Sequence, residues 1–328
     1  MRSVFRSGLF RGRVCLVTGG GTGIGRAVAA ELAGLGATVV IGARNLERLE
    51  ATAADLNAAT AAAAAAGDVG KVECVALNIR DEANVQSAIG AIIAKHGRID
   101  CLVNNGGGQF ASPAKDIRLK GWKAVIDTNL TGTWCMCQNL YNLTPPEKRA
   151  GISIVNVIAD YFNGFPGIEH TGAARAAVDN LTRTLAREWG ADGIRVNSVA
   201  PGVIMSSGVN NYPEPVRPHF LASGSSVPAG RPGTESECSA AVVFLLSDAA
   251  SYVTGATLRV DGGGSLGKKD FVSAEFLHTL SGEQPPPKAP HAPFHLSPTL
   301  RKEYDDRMAL FKGGSAGEEG DKPPRSKL

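Results

Sequence analysis

Three observations predict a doubly wound α/β sheet of about seven parallel strands. Between Val14 and Asp261, seven short apolar, β-rich runs alternate with six stretches of helical length, as parallel strands joined by crossover helices require. The runs are almost continuously apolar, as strands covered on both faces are. Forty glycines in 328 residues, about 12% against a usual share near 7%, cluster at particular turns rather than spreading evenly.

The first strand is Val14-Cys15-Leu16-Val17, preceded by an arm carrying Arg2, Arg6, Arg11 and Arg13 that is too short to be a targeting peptide. A glycine-rich turn leads to helix Gly25–Leu35, then strand Ala37–Ile41 and helix Leu46–Ala59. Residues 58–70 are an alanine-rich, glycine-ended insertion, read as a helix extension and surface loop. Strand Val72–Leu77, helix Glu82–His96, strand Ile99–Val103 and one long helix Gly121–Tyr141 follow. The chain continues with strand Ser153–Ile158, helix Gly172–Trp189, strand Ile194–Val199, helix Glu235–Leu246 and strand Ala256–Val260. After Gly264 the composition changes. Pro285, Pro286, Pro287, Pro290, Pro293 and Pro298 mark an extended linker, followed by a short helix around Thr299–Lys312 and a polar tail. The expected organisation is one domain, 1–264, with an extension, 265–328.

Composition narrows the function classes. With 34 basic and 31 acidic side chains the net charge is +3, too small and scattered to indicate nucleic-acid binding. The six cysteines lack metal-site or disulfide-framework spacing, which favours a reducing compartment and no metal. Glu31 interrupts the longest apolar stretch, so no membrane span is expected.

The turn Thr18-Gly19-Gly20-Gly21-Thr22-Gly23-Ile24-Gly25 lies between a strand and a helix. Glycines there let backbone N–H groups approach a pyrophosphate, and the helix N-terminus adds positive dipole. A dinucleotide site of Rossmann type is expected, with Gly19, Gly21, Thr22, Gly23, Ile24 and Gly25 in contact with the cofactor. At the end of the second strand stand Gly42-Ala43-Arg44-Asn45, with no carboxylate for a ribose 2′-hydroxyl. Arg44, with Arg48 and Arg26 nearby, suits a 2′-phosphate, so NADP(H) is favoured.

With these residues the chain resembles the short-chain dehydrogenase/reductase superfamily, over about residues 11–264. Later motifs agree: Asn104-Asn105-Gly106-Gly107, Asn129 within Thr128-Asn129-Leu130-Thr131-Gly132, Pro201-Gly202, Thr254-Gly255 and Asp261-Gly262-Gly263. The resemblance implies that Asn78 and Ile79 line the adenine pocket, that Asn105, Gly106 and Gly107 contact the cofactor, and that Pro201, Gly202 and Val203 flank the nicotinamide. It also implies a homotetramer or homodimer.

The superfamily's Ser–Tyr–Lys set is missing. Thr171 stands at the tyrosine position, Arg175 at the lysine position, and Ile158 or Ala159 at the serine position. An aliphatic hydroxyl is too weak an acid to protonate an alkoxide, which disfavours an alcohol dehydrogenase. Reducing a double bond conjugated to a thioester instead needs donors for an enolate oxygen and a proton for the α-carbon. Within the superfamily the chain is similar to the peroxisomal trans-2-enoyl-CoA reductases, in Asn104 to Phe110, Gly164-Phe165-Pro166 and His170 to Arg175. The peroxisomal 2,4-dienoyl-CoA reductases are the next resemblance. They imply a tyrosine donor from the loop after the fifth strand, hence Tyr161, in a register that differs by about one residue. The tyrosine that the first group would place further along the helix is Asp179 here, with Arg183 four residues on. Asn129 is the candidate to orient water or donate to the thioester oxygen, and Arg175 to bind the nicotinamide ribose.

An acyl-CoA needs cations for its phosphates, for which Arg2, Arg6, Arg11 and Lys268-Lys269 are available. Residues 205–227, with Tyr212 and Phe220, are read as a substrate lid. Ser326-Lys327-Leu328 has the form of a peroxisomal import signal, which implies an import receptor as partner and the peroxisome matrix as location. The expected activity is NADPH-dependent reduction of trans-2-enoyl-CoA. The alternatives are 2,4-dienoyl-CoA reduction, an NADP/acyl-CoA-binding protein without turnover, and a carbonyl reductase with a displaced tyrosine.

Overall fold

Strand β1 (Val14–Thr18) is buried along its whole length, and its side chains part by alternation. Cys15 and Val17 enter one apolar cluster while Val14 and Leu16 enter another, as the period-2 geometry of a strand dictates. A strand with two covered faces must lie inside a sheet. In the computed structural model, which describes residues 3–63, 70–206 and 227–266, β1 pairs in parallel with β2 (Thr38–Ala43) and β4 (Cys101–Asn104), Val17 lying beside both Ile41 and Val103.

The seven-stranded sheet has the order β3-β2-β1-β4-β5-β6-β9, every pair parallel, with β3 Lys71–Ala76, β5 Ser153–Val157, β6 Arg195–Pro201 and β9 Thr257–Val260. Helices α1 (Gly23–Gly34), α2 (Leu46–Ala63) and α7 (Glu235–Leu246) cover one face. Helices α3 (Glu82–His96), α5 (Gly132–Leu143) and α6 (Glu169–Trp189) cover the other. This is the doubly wound Rossmann-type fold that the alternation predicts. The chain reverses its winding between β1 and β4, and outside the carboxyl ends of those strands such sheets bind ligands.

Two features depart from the expected elements. The long helix over 121–141 is α4 (Leu119–Ile126), a π turn (Asp127–Thr131) and α5. The wide turn accommodates Asn129, whose Nδ2 donates to Val125 O at 3.0 Å and reaches Gly108 O at 2.7 Å. A small parallel pair, β7 (Ile204–Met205) and β8 (Gly233–Thr234), carries the chain from β6 toward α7. A capping box of Thr234 and Glu237 starts α7, a contribution of about 1 kcal/mol. Tyr212, Phe220, Lys268, Lys269, the proline-rich linker and Ser326-Lys327-Leu328 lie outside the described residues. No helix among the described residues is long and apolar enough to cross a membrane.

Candidate functional site

The glycine turn is built by close approach. Gly19 and Gly23 take φ of +66° and +58°, a region open to glycine without strain. A Cβ on Gly25 would lie 2.4 Å from both Asn105 Nδ2 and Gly19 O. Thr18 Oγ1 accepts the N–H groups of Asn105 (3.0 Å) and Gly106 (2.8 Å), and Asn105 Nδ2 donates to Thr18 O at 3.0 Å. The Asn104-Asn105-Gly106-Gly107 element thus braces the turn across the reversal point.

Beside the turn lies a cavity of about 630 Å³ lined by Gly19, Gly21, Thr22, Ala43, Arg44, Asn45, Arg48 and Leu49. Both predicted arginines, Arg44 and Arg48, stand in its wall, and among the described residues no carboxylate does. Arg26 is not among the lining residues and pairs with Asp55 at 3.7 Å. Asn78 and Ile79 line neither this cavity nor the larger one. Asn78 Oδ1 accepts from Arg80 N, and a Cβ on Gly106 would touch Ile79 Cδ1 at 3.3 Å.

The larger cavity, about 910 Å³, opens along the carboxyl ends of β1, β4, β5 and β6. Ile24, Asn105, Gly107, Pro201, Gly202 and Val203 line it, and Phe110, Phe165, Ile168, Ile204 and Val227 add apolar lining. Asn129, Thr171 and Arg175 all line it. The described lining residues include no tyrosine and no lysine.

Arg175 is 8% exposed and its Nη1 is buried without a partner among the described residues. Burial lowers its pKa to about 10, so it remains a cation at neutral pH. A Cβ on Gly107 would lie 2.5 Å from Arg175 Nη2 and 2.6 Å from Asn129 Oδ1, so any side chain there would displace the ends of one or both of these groups. A buried cation with no counter-charge is costly, and its free donor fits a ribose hydroxyl or a thioester oxygen. The glycine turn, the cavity beside it and this orphaned donor together fit a nicotinamide dinucleotide.

The structure bears on two expected roles. Asn129 has both Nδ2 hydrogens engaged, by Gly108 O and Val125 O, while its Oδ1 accepts from Gly108 N at 3.2 Å. No hydrogen is left for a thioester oxygen. The residue holds the Gly107-Gly108 loop against Arg175. Tyr161 is not a cavity residue: its hydroxyl donates to Asp179 Oδ2 at 2.7 Å. Burial and that bond push its pKa up to about 12. Asp179 also receives Arg183 and Thr257, and does not line the cavity.

Thr171 Oγ1 lies 3.3 Å from His170 Nδ1, which accepts the Thr171 N–H at 2.8 Å. His170 is fully buried, edge-on to Phe110 at 4.4 Å between ring centroids, and burial lowers its pKa, favouring the neutral ring. Arg11 sits beside Gly36, just ahead of β2 and thus at the amino end of the sheet. That is the wrong end for a cation serving this site. Sequence reasoning missed Asp160, one residue before Tyr161, which does line the cavity. The one-residue offset of Tyr161 from the pattern implied by the resemblance was the available signal.

A family model described as enoyl-(acyl carrier protein) reductase matches residues 19–265. A probable 2,4-dienoyl-CoA reductase of Bacillus subtilis is 37% identical over 253 residues, 76% of this chain and 96% of the relative. A peroxisomal 2,4-dienoyl-CoA reductase of Danio rerio is 36% identical, over 79% of this chain and 84% of that one. Among solved structures, a citronellol catabolism dehydrogenase of Pseudomonas aeruginosa is 43% identical with a TM-score of 0.70, covering 81% of this chain and all of its own.

Proposed function

The chain belongs to the short-chain dehydrogenase/reductase superfamily, and from that premise we propose that it is an NADPH-dependent reductase of double bonds conjugated to an acyl-CoA thioester, with trans-2-enoyl-CoA as substrate. The observation that carries the reading is the make-up of the large cavity. Its described walls offer a buried, unpartnered Arg175 but no tyrosine–lysine pair. A ketone reductase needs an acid for a strongly basic alkoxide, whereas an enolate is far less demanding of its donors.

When bound, reduced nicotinamide supplies hydride. The N–H groups of the Gly19–Gly25 turn and the start of α1 hold the pyrophosphate, and Arg44 and Arg48 hold the 2′-phosphate. Pro201, Gly202, Val203 and Ile24 flank the nicotinamide. Arg175 donates to its ribose or to the thioester oxygen, and the Phe110, Phe165, Ile168 and Ile204 walls keep water from the acyl chain.

The dienoyl relatives favour a second reading, 2,4-dienoyl-CoA as substrate. Ser326-Lys327-Leu328 and the peroxisomal relative support the peroxisome matrix and its import receptor. A homodimer or homotetramer is part of the same reading.

The test is loss of NADPH absorbance with a trans-2-enoyl-CoA, a 2,4-dienoyl-CoA and a 3-oxoacyl-CoA, offered separately. Oxidation with the monoenoyl thioester is expected. A response to the dienoyl thioester alone selects the second reading, a response to the oxoacyl thioester alone refutes both, and NADPH binding with no oxidation identifies a binding protein.

A further inference from the structure

We propose that Asp160 is the proton donor of this site, its carboxylic acid protonating the enolate that hydride addition leaves on the substrate. The inference rests on the reductase reading and adds to it the acid that neither Thr171 nor Tyr161 supplies.

The loop after β5 sends consecutive side chains to different places. Tyr161 is bound to Asp179 on α6, while Asp160 lines the large cavity together with Thr171, Arg175 and Pro201. Its position is anchored, because the Asp160 N–H donates to Pro201 O at 3.0 Å, at the end of β6. Asp160 Oδ1 is buried and has no partner among the described residues. An ionised Oδ1 would have no donor among the described residues. A protonated one presents an O–H for which a bound thioester provides the acceptor.

The charges around it agree. Burial and Asp261, from the turn after β9, oppose ionisation of Asp160. Arg259 on β9 and the backbone N–H of Phe162 favour ionisation but do not prevail, so the pKa is raised. Arg175 on α6 is the other charged group in the cavity wall. The N–H groups of Gly263 (3.0 Å) and Ser265 (2.8 Å) favour the ionised form of Asp261 and its pKa is lowered, so of the two neighbouring acids Asp160 is the more readily protonated.

The step balances. The substrate β-carbon, or the δ-carbon of a dienoyl chain, takes hydride with its electron pair from reduced nicotinamide. The π electrons move to the thioester oxygen as an enolate. The Asp160 O–H bond then breaks, its proton forms the new C–H bond as the enolate collapses, and the carboxylate is reprotonated by water from the cavity mouth. One hydride and one proton saturate one double bond.

The test compares the full chain with Asp160→Asn. Infrared difference spectra at neutral pH report the protonation state without substrate. A carboxylic-acid carbonyl band in wild type, lost in the variant, is expected, and a carboxylate band alone overturns the proposal. With the preferred thioester, kcat of the variant is expected to fall about 10²–10³-fold, with NADPH affinity changed by less than about two-fold. Wild-type kcat should decline at high pH by roughly tenfold per unit, a limb missing from any residual activity of the variant. If the variant does not fold, the wild-type limb decides, and its absence overturns the assignment. A folded Asp160→Asn with kcat within about two-fold of wild type refutes the donor and leaves the reductase standing. A wild type that binds NADPH yet reduces no thioester overturns both.

Discussion

The Tyr161 hydroxyl donates to Asp179 Oδ2 at 2.7 Å, on a carboxylate that Arg183 and Thr257 also hold. Asp179 is 2% exposed, so the bond ties the loop after β5 to α6 and β9 from the inside. Tyr161→Phe removes one of three groups donating to a buried charge. A hydrogen bond to a charged group contributes about 1.5–3 kcal/mol, and two remaining donors moderate the loss. The expected result is a stability loss of about 1–2 kcal/mol in denaturant titration, with kcat within a few-fold of wild type. A fall in kcat of about a hundredfold or more, at unchanged stability, would return the tyrosine to the chemistry.

That pair also marks where sequence and structure part. The strands were legible because apolar runs buried on both faces leave little choice of state, and the glycine turn because strand, glycines and helix occur in order. The placement of Arg175, Pro201, Gly202 and Val203 around one cavity followed from the same order. The π turn at Asn129 was hidden, since one extra residue in a helical turn leaves the apolar periodicity on both sides intact. Asp160 was hidden for a related reason. A loop has no periodicity to assign faces, so a shift of one residue exchanges a cavity side chain for one pinned to a helix.

Arg44 should decide the choice of nucleotide. It stands in the wall of the smaller cavity with Arg48, where no carboxylate lies among the described residues. Replacing a guanidinium by a carboxylate removes attraction to a 2′-phosphate and adds repulsion. Arg44→Asp is expected to weaken NADPH binding about 10–100-fold and to improve NADH binding, as fluorescence titration with both nucleotides would show. Arg48→Ala should do less, because its stem also packs near Gly21. Equal affinities in wild type would remove the basis of the prediction.

Glu31 supplies a pH dependence away from the site. It is 5% exposed and, among the described residues, bonded by the hydroxyls of Ser3 and Ser239. Burial raises its pKa above the usual value, while the two hydroxyls pull the other way. The sign follows from linkage. With the folded pKa above the unfolded value of about 4.3, the folded state binds the extra proton. The contribution of Glu31 is therefore full below that pH and is lost as pH rises through the folded pKa. Glu31→Gln, which stays neutral, should gain stability relative to wild type across that rise and then hold a constant advantage. Parallel melting curves of the two proteins from mildly acidic to neutral pH check this, and a difference that does not change with pH refutes it.

Arg175 carries the sharpest trade between stability and binding. Its guanidinium is buried, makes no ion pair among the described residues, and leaves Nη1 unpartnered. In the absence of ligand such a charge destabilises the fold, so Arg175→Met, similar in length and uncharged, should raise the melting temperature of the ligand-free protein. The same change removes a charged donor from the cavity. A hydrogen bond of that kind is worth about 1.5–3 kcal/mol, which corresponds to roughly 10–100-fold in affinity. NADPH should therefore bind more weakly and stabilise the variant less than wild type. Gly107→Ala probes the same contact from the other side, since its Cβ would fall 2.5 Å from Arg175 Nη2. It should weaken NADPH binding without the gain in ligand-free stability. A destabilised Arg175→Met with normal NADPH affinity would make the residue part of the scaffold, and the free donor would have to be explained another way.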